Sequence, residues 1–368
     1  MNLLQTQWGH LHTNTEEFTG RPSVSHDGRS IVFCSQENRQ HLLGHLVIWG
    51  LTQPVMPWCS DGPSEAELGG TLEETLAHWA DASHRRGGTV VLAHLPNPNG
   101  EPAVLVATGR ADAVEMIDHR SKNHLEYYRY LNCGYRMPLV GGTDKMSSQV
   151  PVGLYRTYAY IPEDRPFTYE NWTASVRAGR TFMSGGPLLR FTVDGASMGD
   201  TLQLPKGGGE VEVHAVAESI FPINSLQIVE RGRVVAETEE AGGARRLELR
   251  AKLRVAGNTW IAARCGGPGF GIDAIQHHDE WRRGVFAHSS PIYVACGGEW
   301  HMFDKRVAEY LLTMVDGGIA YVRTRAPYER PGTVTHSHGE EDHVAHLERP
   351  FREARAILSR RLREEQGP

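Results

Sequence analysis

Thr89-Val-Val-Leu-Ala93-His94 is an unbroken apolar run that ends on a histidine. It is preceded by Gly87-Gly88 and, before those, by a helical pattern from Thr71 to Arg86. Thr71 reads as the N-cap of that helix, Glu73 and Glu74 as its acidic first turn, and the glycine pair as its stop. A continuous apolar run without polar alternation reads as a strand covered on both faces. Helix then buried strand is the unit of an α/β fold, and the same reading extends outward. Ser30-Ile-Val-Phe-Cys34, His45-Leu-Val-Ile-Trp49, Ala113-Val-Glu-Met-Ile117 and Leu139-Val-Gly-Gly142 read as further buried strands, and Asn123 to Asn132 as a helix. Together they predict a parallel sheet between helical layers, an α/β fold of barrel-like form.

The pattern changes at Gly185-Gly-Pro187. From Leu188 to about Val294 it becomes period-two alternation broken by turns, with Glu210-Val-Glu-Val-His214 alternating and Arg231-Gly232 placed to close a hairpin. That predicts an antiparallel β-sandwich. Helices are expected from about Phe303 to Met314 and from about Pro350 to Glu365. The expected division is therefore 1–186, 187–297 and a helical tail over 298–368.

With 368 residues, 40% hydrophobic and 22% charged, the composition is that of a globular chain of more than one domain. A formal net charge of −6 argues against a nucleic-acid partner. No apolar run approaches the ~20 residues that span a bilayer, and the N-terminus does not read as a signal peptide. Five scattered cysteines without a C-x-x-C pair suit reduced thiols and a cytoplasmic location. These features predict a small-molecule substrate, with no nucleic acid or membrane, and leave a homo-oligomer open.

Histidine, at 19 residues, is the compositional outlier. In parallel α/β folds the polar residues at strand ends face the binding crevice. Glu37 follows the Ile31–Cys34 run, His94 ends the Val90–Ala93 run, Glu115 lies within the Ala113 strand, Asp144 follows Leu139–Thr143, and His45 opens its strand. Any one of them alone is most simply a hydrogen-bonded structural residue. Carboxylates and imidazoles on successive strand ends are what divalent ions need.

Longer stretches carry a resemblance. Gln36-Glu37-Asn-Arg39 followed by His41-Leu-Leu-Gly-His45 resembles the segment of the PHP (polymerase and histidinol phosphatase) superfamily in which a bridging Glu precedes a ligand His. Ala93-His94-Leu-Pro96 resembles its His-Pro strand end, and Gly142-Thr143-Asp144 its last strand end. Ala178-Gly179-Arg180-Thr-Phe182 through Gly185-Gly-Pro187, then Phe191-Thr-Val-Asp-Gly195 and Gly199-Asp200, resemble the CehA/McbA metallohydrolases, which join a PHP domain to a C-terminal sandwich.

The resemblance implies a distorted (β/α) barrel carrying Zn, Mn or Fe, with Glu37, His45, His94, Glu115 and Asp144 as ligands. Glu115 would otherwise act as a base beside the metals, and Lys145 and Arg156 would steady developing negative charge. The implied reaction is hydrolysis of an ester, amide or carbamate, or phosphoester bond by a metal-activated water.

The pattern departs from the family at Asp144, which is followed by Lys145-Met146 rather than x-His. His10-Leu-His12 matches the opening His-x-His motif locally. The stretch to Glu37, however, is too short for the expected helix and strand. Either both histidines are ligands from one strand end, or the first βα unit is absent and His10 alone takes a second-strand position. The alternative function is a degenerate, non-catalytic metal- or carbohydrate-binding protein. His336, His338 and His343 in the polar stretch near the C-terminus read as a solvated loop.

Overall fold

The computed structural model describes residues 2–7, 10–13, 18–40, 42–57, 72–95, 100–116, 123–144, 151–267, 284–325, 338–340 and 342–365, the first two segments by their backbone course. Two sheets organise them. The first comprises β1 (Asn2–Gln7), β2 (His10–Thr13), β5 (Ser35–Gln40), β6 (Gly44–Trp49), β7 (Thr89–Leu95), β8 (Ala113–Met116) and β9 (Leu139–Val140), in the order β2-β1-β5-β6-β7-β8-β9. The short strands β3 (Ser23–Val24) and β4 (Ile31–Val32) form a separate ribbon.

The expected barrel is not what forms. The first sheet is open, with β2 and β9 at its edges, and its centre runs antiparallel through β5, β6 and β7. Only β1–β5, β7–β8 and β8–β9 pair in parallel. The physical reason lies at residues 40–44. The Gln40 side-chain carbonyl accepts the Leu42 N–H (2.8 Å) and the Leu43 N–H (2.5 Å), and Gly44 takes a positive φ of 124°. The chain therefore reverses at once into β6. A hairpin replaces the helical crossover that a parallel β/α unit requires.

The strand carrying Glu37 also differs from expectation. The apolar Ile31–Cys34 run is not that strand; the polar segment Ser35–Gln40 is, with all six residues buried. Its polar side chains are satisfied internally. Gln36 Nε2 donates to the Val55 carbonyl at 2.8 Å and Gln36 Oε1 accepts the Val55 N–H at 2.7 Å, while Asn38 Nδ2 reaches the Val55 and Pro57 carbonyls. Burial of amides is tolerable only with such partners.

Strand alternation sends the two sets of apolar side chains to opposite faces. Leu46, Ile48, Val90 and Leu92 pack with α1 (Leu76–Arg85), α2 (Gly100–Ala107), α3 (Asn123–Asn132), α5 (Lys305–Arg325) and α6 (His343–Glu364). Val47, Trp49, Val91, Ala113 and Val140 face α4 (Tyr169–Arg177), meeting Trp172 and Val176. Thr168 Oγ1 caps α4 by accepting the Asn171 N–H, and Asp342 caps α6 through the Ala345 N–H. The C-terminal helices are thus part of the first sheet's core.

The second sheet contains β10 (Arg156–Ala159), β11 (Thr181–Ser184), β12 (Leu188–Val193), β13 (Ala196–Ser197), β14 (Thr201–Leu204), β15 (Gly209–Glu230), β16 (Arg233–Val255), β17 (Thr259–Gly266), β18 (Phe286–Ser289) and β19 (Ile292–Cys296). These ten strands form one connected, curled and mainly antiparallel sheet around an apolar core that includes Phe191, Val213, Ile228 and Ile261, rather than two facing sheets. β10 and β11 join it although they precede Gly185. The expected turn at Arg231-Gly232 is present, with φ of 50° and 88°, the conformation that a two-residue hairpin favours. α3 links the sheets: Tyr128 Oη lies 2.8 Å from His288 Nε2 of β18 and its ring packs on Trp260.

Candidate metal centre

Glu37, His45 and His94 meet on the α4 face of the first sheet. β5 and β6 place Glu37 opposite Val47 and Arg39 opposite His45, so all four side chains share that face. His94 requires a different explanation. Leu46 pairs with Leu92, so simple alternation would direct His94 toward the α1 face. The β7–β8 register shifts between Leu92 and Leu95, and His94 adopts φ of 34°, in the left-handed region. This bulge turns its imidazole back to His45. Bulges of this kind re-aim side chains beside functional sites, and left-handed non-glycine residues cluster there.

The resulting contacts are close. His45 Nδ1 is 2.8 Å from His94 Nε2 and 3.2 Å from Glu37 Oε1, while Arg39 Nε is 3.1 Å from that same oxygen. One ring nitrogen thus faces both another nitrogen and a carboxylate, and three potential ligand atoms converge. Burial alone would push the Glu37 carboxyl up, but the His45 hydrogen bond and the charges of Arg39, His45 and His94 outweigh it and hold it well below the usual carboxylate range. Glu37 is buried, whereas His45 and His94 are half-buried.

The donor set fits a divalent ion. Two imidazoles and one carboxylate form a three-ligand zinc set with a fourth position open, and bonds of ~2.0–2.1 Å put tetrahedral donor atoms about 3.3 Å apart. The 3.2 Å pair already matches that spacing, and the 2.8 Å pair needs only a small opening. Arg39 is the feature that sequence reading passed over. Its signal was available: two positions after Glu37, on a strand, it must share Glu37's face.

The remaining expected residues divide. Glu115 lies on the same face, and its Oε2 accepts the backbone N–H of His94 at 2.8 Å, so it braces the bulge. A Cβ on Gly142 would meet Glu115 Oε1 at 2.1 Å, so glycine there leaves the carboxylate its place. Asp144 sits past the end of β9 at the same end of the sheet, with φ of 47°, but is not among the residues whose donor atoms converge. Arg156 is engaged elsewhere, donating to the Gly153 carbonyl and to Tyr158 Oη. His10 and His12 lie on β2, paired with Gln7 and Gln5, and their side chains are outside the described residues, as is Lys145.

Two cavities are relevant. One of about 340 Å³ is lined by Phe33, Ser35, Trp49, Phe167, Tyr169 and Trp172. It lies on the same face, and Trp49 is four residues along β6 from His45, about 13 Å. A larger one, about 700 Å³ between α5 and α6, is lined by four arginines and Asp316 without a histidine, and offers no comparable chemistry.

No family model matches this chain, and no curated protein does. Among solved structures, the fibronectin(III)-like modules of Clostridium thermocellum CbhA are similar over 29% of this chain and 93% of theirs, at 15% identity. The TM-score of 0.19 is too low for that likeness to bear on fold or function.

Proposed function

We propose that this chain is a metal-dependent hydrolase of small molecules, with a divalent ion held by Glu37, His45 and His94. The observation that carries the reading is the convergence of a two-histidine, one-carboxylate set, completed by a left-handed bulge at His94. Such an ion, when bound, acidifies a water and polarises the oxygen of an ester, amide, carbamate or phosphoester.

The chain's own groups have separable tasks. Glu37 supplies the buried negative charge that attracts the cation. Arg39 fixes the orientation of that carboxylate. Glu115 holds the backbone that aims His94. The half-buried imidazoles leave one side open, and the aromatic cleft along β6 suits the apolar part of a substrate. Arg39 also supports a second reading, in which Glu37 and His45 form a buried charge network without an ion.

The test is to strip the protein with a chelator, then add zinc, manganese or iron(II) while following melting and turnover of aryl esters, anilides and aryl phosphates. Metal should raise Tm and restore turnover, and His45→Ala or His94→Ala should lower turnover by about a hundredfold or more. Metal uptake without turnover of any substrate class would leave a binding protein. No uptake at all would leave the charge network.

A further inference from the structure

On the other face of the first sheet, within the helical layer, a second group of donor atoms converges. Glu74 precedes α1, His78 is in its first turn, and His346 is in the first turn of α6. Glu74 Oε2 lies 3.1 Å from His78 Nδ1 and 3.5 Å from His346 Nε2. These values bracket the spacing of about 3.3 Å between donors of a tetrahedral zinc ion. The ligand atoms of the three residues lie within 4.8 Å of one another.

His346 is 6% exposed, and its Nε2 is buried without a hydrogen bond among the described residues; so is Nε2 of His78. A buried imidazole nitrogen without a hydrogen bond is costly, and coordination is one way to satisfy it.

The neighbouring histidines are spoken for, which narrows the ligand set. His343 Nε2 is 2.7 Å from the Leu72 carbonyl and must donate to it. Its Nδ1 therefore accepts from His338 Nε2, at 2.9 Å, and His338 Nδ1 in turn accepts the Glu340 N–H at 3.0 Å. Both nitrogens of each ring are thus engaged. The rings of His338, His346 and His78 stack in succession, at 3.8 Å and 4.0 Å between centroids.

We propose that Glu74, His78 and His346 form a second divalent-ion site, of the zinc class, whose role is to tie the first turn of α6 to α1. The tie would span most of the chain and close a long loop, which is where a cross-link restrains the unfolded state most. His343, by contrast, is a positioning residue: it docks α6 on the Leu72 carbonyl and leaves His346 as the ligand.

The experiment uses the full chain carrying His94→Ala, which disables the first cluster, and reads zinc by elemental analysis after dialysis, with melting alongside. About one equivalent of zinc should remain, with Tm raised by several degrees. Adding His346→Asn or Glu74→Gln should abolish both effects. Adding His343→Ala should lower Tm but leave the zinc. Should the ligand variants fail to fold, cobalt(II) added to the folded His94→Ala chain should give the visible absorption of a tetrahedral histidine-ligated ion. No zinc and no cobalt spectrum in the His94→Ala chain would overturn the proposal. So would zinc retained by folded His346→Asn and Glu74→Gln variants, or zinc lost from a folded His343→Ala variant.

Discussion

The two clusters use the same kinds of donor but are built in opposite ways. Glu37, His45 and His94 come from three adjacent strands within 58 positions of sequence, and one of them is aimed by a strained backbone. Glu74, His78 and His346 come from ordinary helical and extended backbone, and meet only because α6 returns to α1. The first also contains a buried arginine that already balances its carboxylate, whereas Glu74 is held by two histidines. The difference teaches that a sheet supplies proximity and must spend local strain on aim, while packed helices supply aim and must find proximity through the whole fold.

The largest effect is expected from Arg39→Met, which leaves Glu37 buried without its main positive partner. Removing one member of such a pair costs about 3–5 kcal/mol. Chemical denaturation should show that loss in metal-free protein, and added zinc should recover much of it, because the ion replaces the missing charge. Recovery should depend on His45 and not on His346. Recovery that needs His346 instead would break the distinction between the clusters.

Gly142→Ala should act next. The added methyl cannot coexist with Glu115 Oε1 at 2.1 Å, so the carboxylate must move and release the His94 N–H. Overpacking of this sort costs about 1–3 kcal/mol. Calorimetric titration should show weaker metal binding at the first cluster, while zinc retention that depends on His346 stays unchanged. Equal weakening of both would mean that Glu115 does not act through the bulge.

The smallest effect is a reversal of sign. At His94, with φ of 34°, Gly should be more stable than Ala by about 1 kcal/mol, since an L residue pays for the left-handed region. At His78, within α1, Gly should be less stable than Ala by about 0.5–1 kcal/mol. All four variants lose an imidazole, so comparing each Gly with its Ala isolates the backbone. Melting of the metal-free proteins measures it, and the same sign at both positions would show that the bulge carries no strain.

Parts of the fold were legible for a clear reason. The apolar runs Leu46–Trp49 and Val90–Ala93, and the mostly apolar Ala113–Met116, each lie in a strand of the first sheet. Asn123–Asn132 is the expected helix, and Arg231-Gly232 the expected turn. The strand Ser35–Gln40 was not legible, because its residues are polar and their burial depends on carbonyls at Val55 and Pro57. The C-terminal histidines were misread for a similar reason. His343 opens a helix and is buried against Leu72, so the expectation of a solvated loop fails there, while His336 lies outside the described residues.

By itself the sequence determined where the apolar strands β6, β7 and β8 and the helix α3 occur and which residues could donate to an ion, because both depend on local pattern and side-chain chemistry. Only the tertiary structure decided that β5, β6 and β7 run antiparallel in an open sheet, because strand order and direction come from pairing between distant segments. It alone turned His94 toward Glu37, through a one-residue bulge that no composition encodes, and brought His346 to Glu74 across nearly the whole chain.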